Sequence, residues 1–242
     1  KQTNNRIENI LPEHFVAAMT RLVLANAIWF AGGWESPFEP GATDDGPFHR
    51  LDGSTATVPF MQQRAHLSYA RGDGVQSIEF PFAGSGFAFT VILPDAGTFD
   101  AFESKLDSAA LDAEIGQLAS TEIRVYLPKF KFDFGAVDLA QMLRALGMTD
   151  AFDPNRADLT GMVEGPPPEP LYVSAVLHKA FVSVDENGVE AAAATVVGVA
   201  AGAMPNETEP PEVHIDRPFL FAIRDTQTGS LLFLGRVLDP SR

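Results

Sequence analysis

The segment after Val184 constrains this chain more than any other. Asp185-Glu186-Asn187-Gly188 reads as a turn, and the chain then runs from Val189 through Ala191-Ala192-Ala193-Ala194 to Met204 before Pro205 and the acidic, proline-containing stretch to Pro211. From Ala191 to Asn206 no residue carries a charge. Surface connections of this length without polar turn chemistry are uncommon and tend to be functional. The stretch is short for a membrane span, which takes about 20 apolar residues, and Pro205 interrupts it. Its Gly198-x-x-x-Gly202 spacing would suit a membrane helix pair, but the acidic flanks and the dominance of Gly and Ala favour a surface loop. Read as a strand, period-2 alternation sorts the residues. With Glu190 toward solvent, Val189, Ala191, Ala193, Thr195, Val197, Val199 and Ala201 fall on the opposite face. All seven are small or β-branched and none is charged, so the loop doubles as a competent buried strand roughly 45 Å long. A segment with two such states reads as a switch.

The rest of the composition narrows the partners. Of 242 residues, 17 are Lys or Arg and 32 Asp or Glu, a net charge of −15. Such a chain repels phosphate backbones, so nucleic-acid binding is not expected. With 45% hydrophobic residues there is ample material for a core, and with no Cys there are no disulfides, thiol nucleophiles or Cys-zinc sites. The histidines at 14, 49, 66, 178 and 214 show no ligand spacing, and no phosphate loop, dinucleotide fingerprint or nucleophile elbow is present. No metal or cofactor is implied. Gly84-Ser85-Gly86 and Asp225-Thr226-Gln227 both read as turns. Carboxylates are numerous, but no pair is singled out for acid–base chemistry.

Along the chain, apolar patterning predicts a mixed α+β fold rich in long strands. Residues 21–31 form an apolar run ended by Gly32-Gly33 and read as a long buried strand. Residues 75–81 and 87–93 read as paired strands, 98–106 as a helix, and 123–134 as an alternating strand in which Pro128 suggests an edge or a bulge. Helical spacing from Val137 to Leu146 stops at Gly147. Residues 171–184 read as another strand, and 219–223 with 231–237 as a closing hairpin. His178, alone between Leu177 and Lys179, reads as a hydrogen-bonded core histidine. Gly165 to Pro170 is a surface loop, and no repeat or interdomain linker is visible.

With these motifs in place the chain resembles the serpins, serine-protease inhibitors of the loop-insertion type. Gly188-Val-Glu-Ala-Ala-Ala-Ala-Thr195 looks like the family's inhibitory hinge, and Val213 to Ile223 matches its C-terminal signature. Asn26 in Leu24-Ala25-Asn26-Ala27-Ile28 and His178 in His178-Lys179-Ala180 match the polar pair beneath the opening sheet. Trp34, Lys129 and Glu186 match residues around the point where the loop first inserts. Val189 departs from the family, whose inhibitory members carry Thr or Ser there; Val is small and uncharged, so insertion is expected to survive.

The resemblance implies a serpin domain over 1–242. It has a large, mainly antiparallel central sheet, further sheets, helices and an exposed reactive loop over about 187–211. It also implies that the N-terminal third or more of the family's length is absent, since Lys1 to Leu11 looks like a helix end and the turn after it. The expected protein is not an enzyme but a monomeric suicide substrate. A target serine protease attacks the loop and forms an acyl-enzyme, and the freed loop inserts into the sheet. Between Lys179 and Arg217 there is no Lys or Arg, which argues against trypsin-like targets and for elastase-, subtilisin- or chymotrypsin-like ones. Counting along the loop places the reactive bond at Gly202, Ala203 or Met204. A non-inhibitory serpin-like binding or chaperone protein is the alternative, and a hydrolase or structural domain with a passive loop a third. An extracellular or cell-envelope location is expected, with a cytoplasmic one left open. No membrane association is expected.

Overall fold

The structure, a computed structural model, describes residues 6–7, 10–11, 15–84, 86–133, 135–165, 169–190 and 209–241. They fall into two compact units, Lys1–Phe30 with Phe132–Val182, and Ala31–Lys131 with Ser183–Arg242.

In the first unit a strand at Leu22–Trp29 runs parallel to the early part of a long strand, Val173–Asp185, with Asn26 opposite His178. The short strand Val137–Asp138 pairs antiparallel on the other side of the long strand, Val137 facing His178. The expected helix from 137 therefore begins later, at Ala140–Ala145. Asp138 contributes: its Oδ1 accepts the amides of Ala140 (3.0 Å) and Val176 (3.1 Å), tying the start of the helix to the long strand. Ala140, Phe152 and Val173 form a small core with Leu22, Leu143 and Leu159 around it, and the Arg144 guanidinium lies 4.5 Å from the Phe152 ring centre. The Leu22–Trp29 strand is not the buried strand expected from its apolar run. Its middle four residues are exposed, Leu24 by 44%. An apolar run predicts a strand that can be covered on both faces, but in this unit few side chains lie over it.

In the second unit the strands 212–214, 119–128, 55–71, 75–81, 87–94, 219–225 and 231–237 lie side by side in that order. Asp44–His49 is paired to the first part of the 55–71 strand. Ala119–Pro128 is a central strand, and Pro128 stands at its last position, where the missing amide costs the ladder little. Phe89, Phe219, Ile78, Ile92, Leu93 and Ile123 are fully buried, and rings pack in series from Trp34 through Phe80 and Phe89 to Phe221 and Phe130. Glu79 is a buried carboxylate, paired with Arg224 Nε at 2.7 Å and bonded by the Thr90 hydroxyl at 3.0 Å.

One face of the sheet is covered by Phe99–Glu103 and Ser108–Gly116, which pack Phe99 and Leu111 against Val75, Ile92 and Leu220. The single helix expected over 98–106 is thus shorter. The chain restarts at Asp107, whose carboxylate caps the second helix by accepting the Ala110 amide at 2.8 Å. The closing hairpin is present, and Asp225 Oδ1 accepts the amides of Gln227 and Thr228, fixing the turn read from 225–229.

Candidate functional site

The turn at the end of the long strand is a tight hairpin. Val184 pairs with Val189 and Asp185 with Gly188, so Glu186 and Asn187 alone reverse the chain, and Asp185 Oδ1 accepts the Asn187 amide at 2.8 Å. The two residues Gly188–Val189 are themselves a strand, hydrogen-bonded on the far side to Gly32–Gly33. Three glycines meet here for a steric reason. A Cβ on Gly188 would lie 2.1 Å from the Gly32 carbonyl oxygen and 2.8 Å from the Gly33 Cα, and its φ of 151° also disfavours a side chain. Val189 is completely buried. At Glu190 the backbone turns left-handed, φ 50°, with its amide donating to the Ser183 carbonyl at 2.9 Å.

Trp34, Lys129 and Glu186 converge on this hairpin. The Trp34 indole N–H donates to the Asp185 carbonyl at 2.9 Å, its amide donates to the Asn187 carbonyl at 2.9 Å, and its ring stacks on Phe82 at 5.1 Å. The Phe38 amide donates to the Glu186 carbonyl. The Glu186 side chain, 8% exposed, accepts from Lys129 Nζ at 3.0 and 2.7 Å and from the Thr43 hydroxyl at 2.8 Å. Burial alone would push this carboxyl up. The Lys129 bonds, the residue's own amide and Thr43 outweigh it and hold the carboxyl below its ordinary range. The carbonyls of Asp185, Glu186 and Asn187 and the Glu186 carboxylate are thus each met by a donor from another part of the unit.

Asn26 and His178 stand directly opposite one another on the same face of the parallel pair. Asn26 is exposed and His178 half-buried, and among the described residues the His178 ring makes no hydrogen bond. The expectation of a hydrogen-bonded core histidine is therefore corrected. In the first part of its strand the buried positions are Val173, Ala175 and Leu177, and His178 falls on the alternate face, which is buried only further along, at Val182 and Val184. Ala191, Ala192, Ala193, Ala194 and Thr195 of the expected hinge, and Gly202, Ala203 and Met204 of the expected reactive bond, lie outside the described residues.

Thr43, Phe38 and the Gly32-Gly33 pair were not visible as site residues from sequence. Thr43 reaches Glu186 across 143 residues, and an isolated Thr carries no periodic signal. The glycine pair did offer one, since a Gly-Gly beside an apolar run permits close backbone approach as well as a strand end.

The serpin (serine protease inhibitor) family profile matches residues 1–240. The chain belongs to the serpin family. An uncharacterised serpin-like protein of Thermococcus kodakarensis is 37% identical over 240 residues, 99% of this chain and 54% of that protein. The native structure of tengpin, a thermophilic serpin, superimposes with a TM-score of 0.85 at 33% identity, covering 98% of this chain and 60% of the other. Human thyroxine-binding globulin in complex with thyroxine aligns with the same TM-score at 28% identity, covering 99% and 61%. The chain therefore has the serpin fold, and it spans between half and two-thirds of each of these serpins. Among the described residues no helix is long and apolar enough to cross a membrane.

Proposed function

We propose that this serpin is an inhibitor that traps a serine protease as a covalent acyl-enzyme by inserting its reactive loop, cut at Gly202, Ala203 or Met204, between the strands 22–29 and 173–182. The observation that carries the proposal is the Gly188–Val189 strand. It is hydrogen-bonded on both edges, so the first two residues of the loop already occupy the position of an added strand. Its register supports continuation. Gly32 and Val184, the two partners of Val189, are separated along the chain by the same number of residues as Asn26 and His178. Extending both ladders residue by residue therefore brings Thr195 opposite Asn26 and His178 together, with no axial slip of either strand. Ala191 and Ala193 fall on the same face as buried Val189. Adding a strand paired on both edges and burying the seven inward side chains supplies the driving force.

The reading takes residues 1–242 as part of one serpin domain and the protein as a monomer acting outside the cytoplasm. The absence of basic residues between 180 and 216 supports an elastase-, subtilisin- or chymotrypsin-like target. Full-length protein incubated with elastase or subtilisin should give an SDS-resistant complex with the protease, and mass spectrometry should place the cut between 202 and 204. Complete turnover of the loop without any complex, or a cut after Glu207, would overturn respectively the inhibitory reading and the placement of the bond. The likeness to a thyroxine-binding serpin favours a second reading, a binding protein whose loop is never used. That protein would gain no stability after loop cleavage, whereas an inhibitor gains much.

A further inference from the structure

The hinge strand stops after two residues, although the segment beyond it is patterned to continue. The left-handed backbone of Glu190 lies at that stop. Among the described residues it is the single non-glycine with positive φ, a conformation that an ordinary L-residue adopts at a cost and that persists only where its surroundings enforce it. The enforcement is visible on its N-terminal side. Val189 is locked between Val184 and Gly32 with no exposed surface, and the Glu190 amide is held by the Ser183 carbonyl at 2.9 Å. That hydrogen bond is the next one an extending ladder would make, so the first half of the third residue's pairing is already in place. The φ of Glu190 lies outside the extended region, so the strand ends at Val189.

We infer that Glu190 is a positioning residue acting through its backbone. Its left-handed conformation is a catch that holds the loop at two inserted residues, and its flip to the extended region is the first step of further insertion. The inference rests on the loop-insertion reading and adds the site of arrest. Because the catch is conformational, the residue type at 190 should move it in opposite directions. Glycine adopts the left-handed region freely and should hold the catch; β-branched residues resist it and should release it. A role based on the Glu190 carboxylate would instead respond to removal of charge whatever the backbone preference.

The test uses the full-length protein carrying Glu190→Gly, Glu190→Asn, Glu190→Val and Glu190→Gln. Each is cleaved in the loop by a non-target protease, and insertion is followed through Trp34 fluorescence and the gain in thermal stability. Relative to the parent, Glu190→Gly should insert about 5-fold more slowly and Glu190→Val about 5-fold faster, as expected from a left-handed preference of roughly one order in population. Glu190→Asn should resemble Glu190→Gly, and Glu190→Gln the parent. Changes of the same sign for Gly and Val, or a Gln variant that behaves like Val, would overturn the catch. If the cleaved parent gains no stability, it is the insertion reading that fails. The catch is then read from the backbone chemical shifts of residue 190 in the uncleaved protein, which should stay in the left-handed range in the parent and move to the extended range in Glu190→Val; left-handed shifts retained in Glu190→Val would refute it.

Discussion

Replacing Gly188 by alanine adds one carbon atom, and the geometry of the hinge sets its effect. The new Cβ would sit 2.1 Å from the Gly32 carbonyl oxygen and 2.8 Å from the Gly33 Cα. Both obstacles are backbone, so no side-chain rotation relieves them. A φ of 151° adds strain of order 1–3 kcal/mol for a residue with a side chain. The strand pair must therefore separate, which breaks the contacts of Gly188–Val189 with Gly32–Gly33 and exposes Val189. Loss of a fully buried valine is worth about 1.5–3 kcal/mol, and each lost backbone hydrogen bond about 1 kcal/mol. With the strain relieved by that separation, Gly188→Ala should lower local stability at the hinge by about 2.5–4 kcal/mol for one lost hydrogen bond and by about 1 kcal/mol more for each further one. Hydrogen exchange of the Val189 and Trp34 amides would measure this directly, because both report the joint and neither reports the distant sheet. Exchange in the variant within a factor of two of the parent would refute the account, since it would mean the three glycines are not in forced contact.

Two further outcomes follow from the same site. The Glu186 carboxyl is held below its ordinary range, so its contribution is fully present above the ordinary glutamate value of 4.5 and is lost as pH falls through the lower folded value. Trp34 fluorescence should therefore report hinge loosening only below about pH 4.5, and Lys129→Ala should move that transition upward in pH; a transition unmoved by Lys129→Ala would detach the ion pair from hinge stability. On the proposed insertion reading, Ala191→Arg would place a charged side chain on the inward face of the added strand, where an unpaired buried charge costs several kcal/mol. It should convert the inhibitor to a substrate, and a stable covalent protease complex formed by that variant would sink the insertion mechanism.

The turn was legible in the sequence because its chemistry is local: Asp185-Glu186-Asn187-Gly188 reads as a turn and is one, while the run of small residues after it lies outside the described residues. The elements around the joint were harder to see. Thr43 and Phe38 act through contacts far apart in sequence, and nothing in their neighbours marks them. The 17-residue strand Thr55–Arg71 escaped because Gln62, Gln63 and Arg64 interrupt its apolar pattern; these residues belong to a stretch with one face open to solvent. The helix Ser108–Gly116 offers only Leu111 and Ile115 at helical spacing, too few for a periodic signal. Conversely, the 21–31 run is legible as a strand, yet the strand is less covered than its hydropathy suggests. Hydropathy states what a strand can tolerate on its faces, and the packing layer decides what it receives.

The meeting of Gly32, Gly33 and Gly188 separates two kinds of information along one segment. Apart from the Glu186 carboxylate held by Lys129 and Thr43, the described contacts of the joint are to peptide groups, with Val189 a buried apolar anchor, so docking depends mainly on chain path. On the proposed reading, the residues a protease would read, 202–204, lie more than a dozen positions further on. Bait and joint can therefore drift independently under selection, so a lineage is able to change its target without rebuilding the device that captures it.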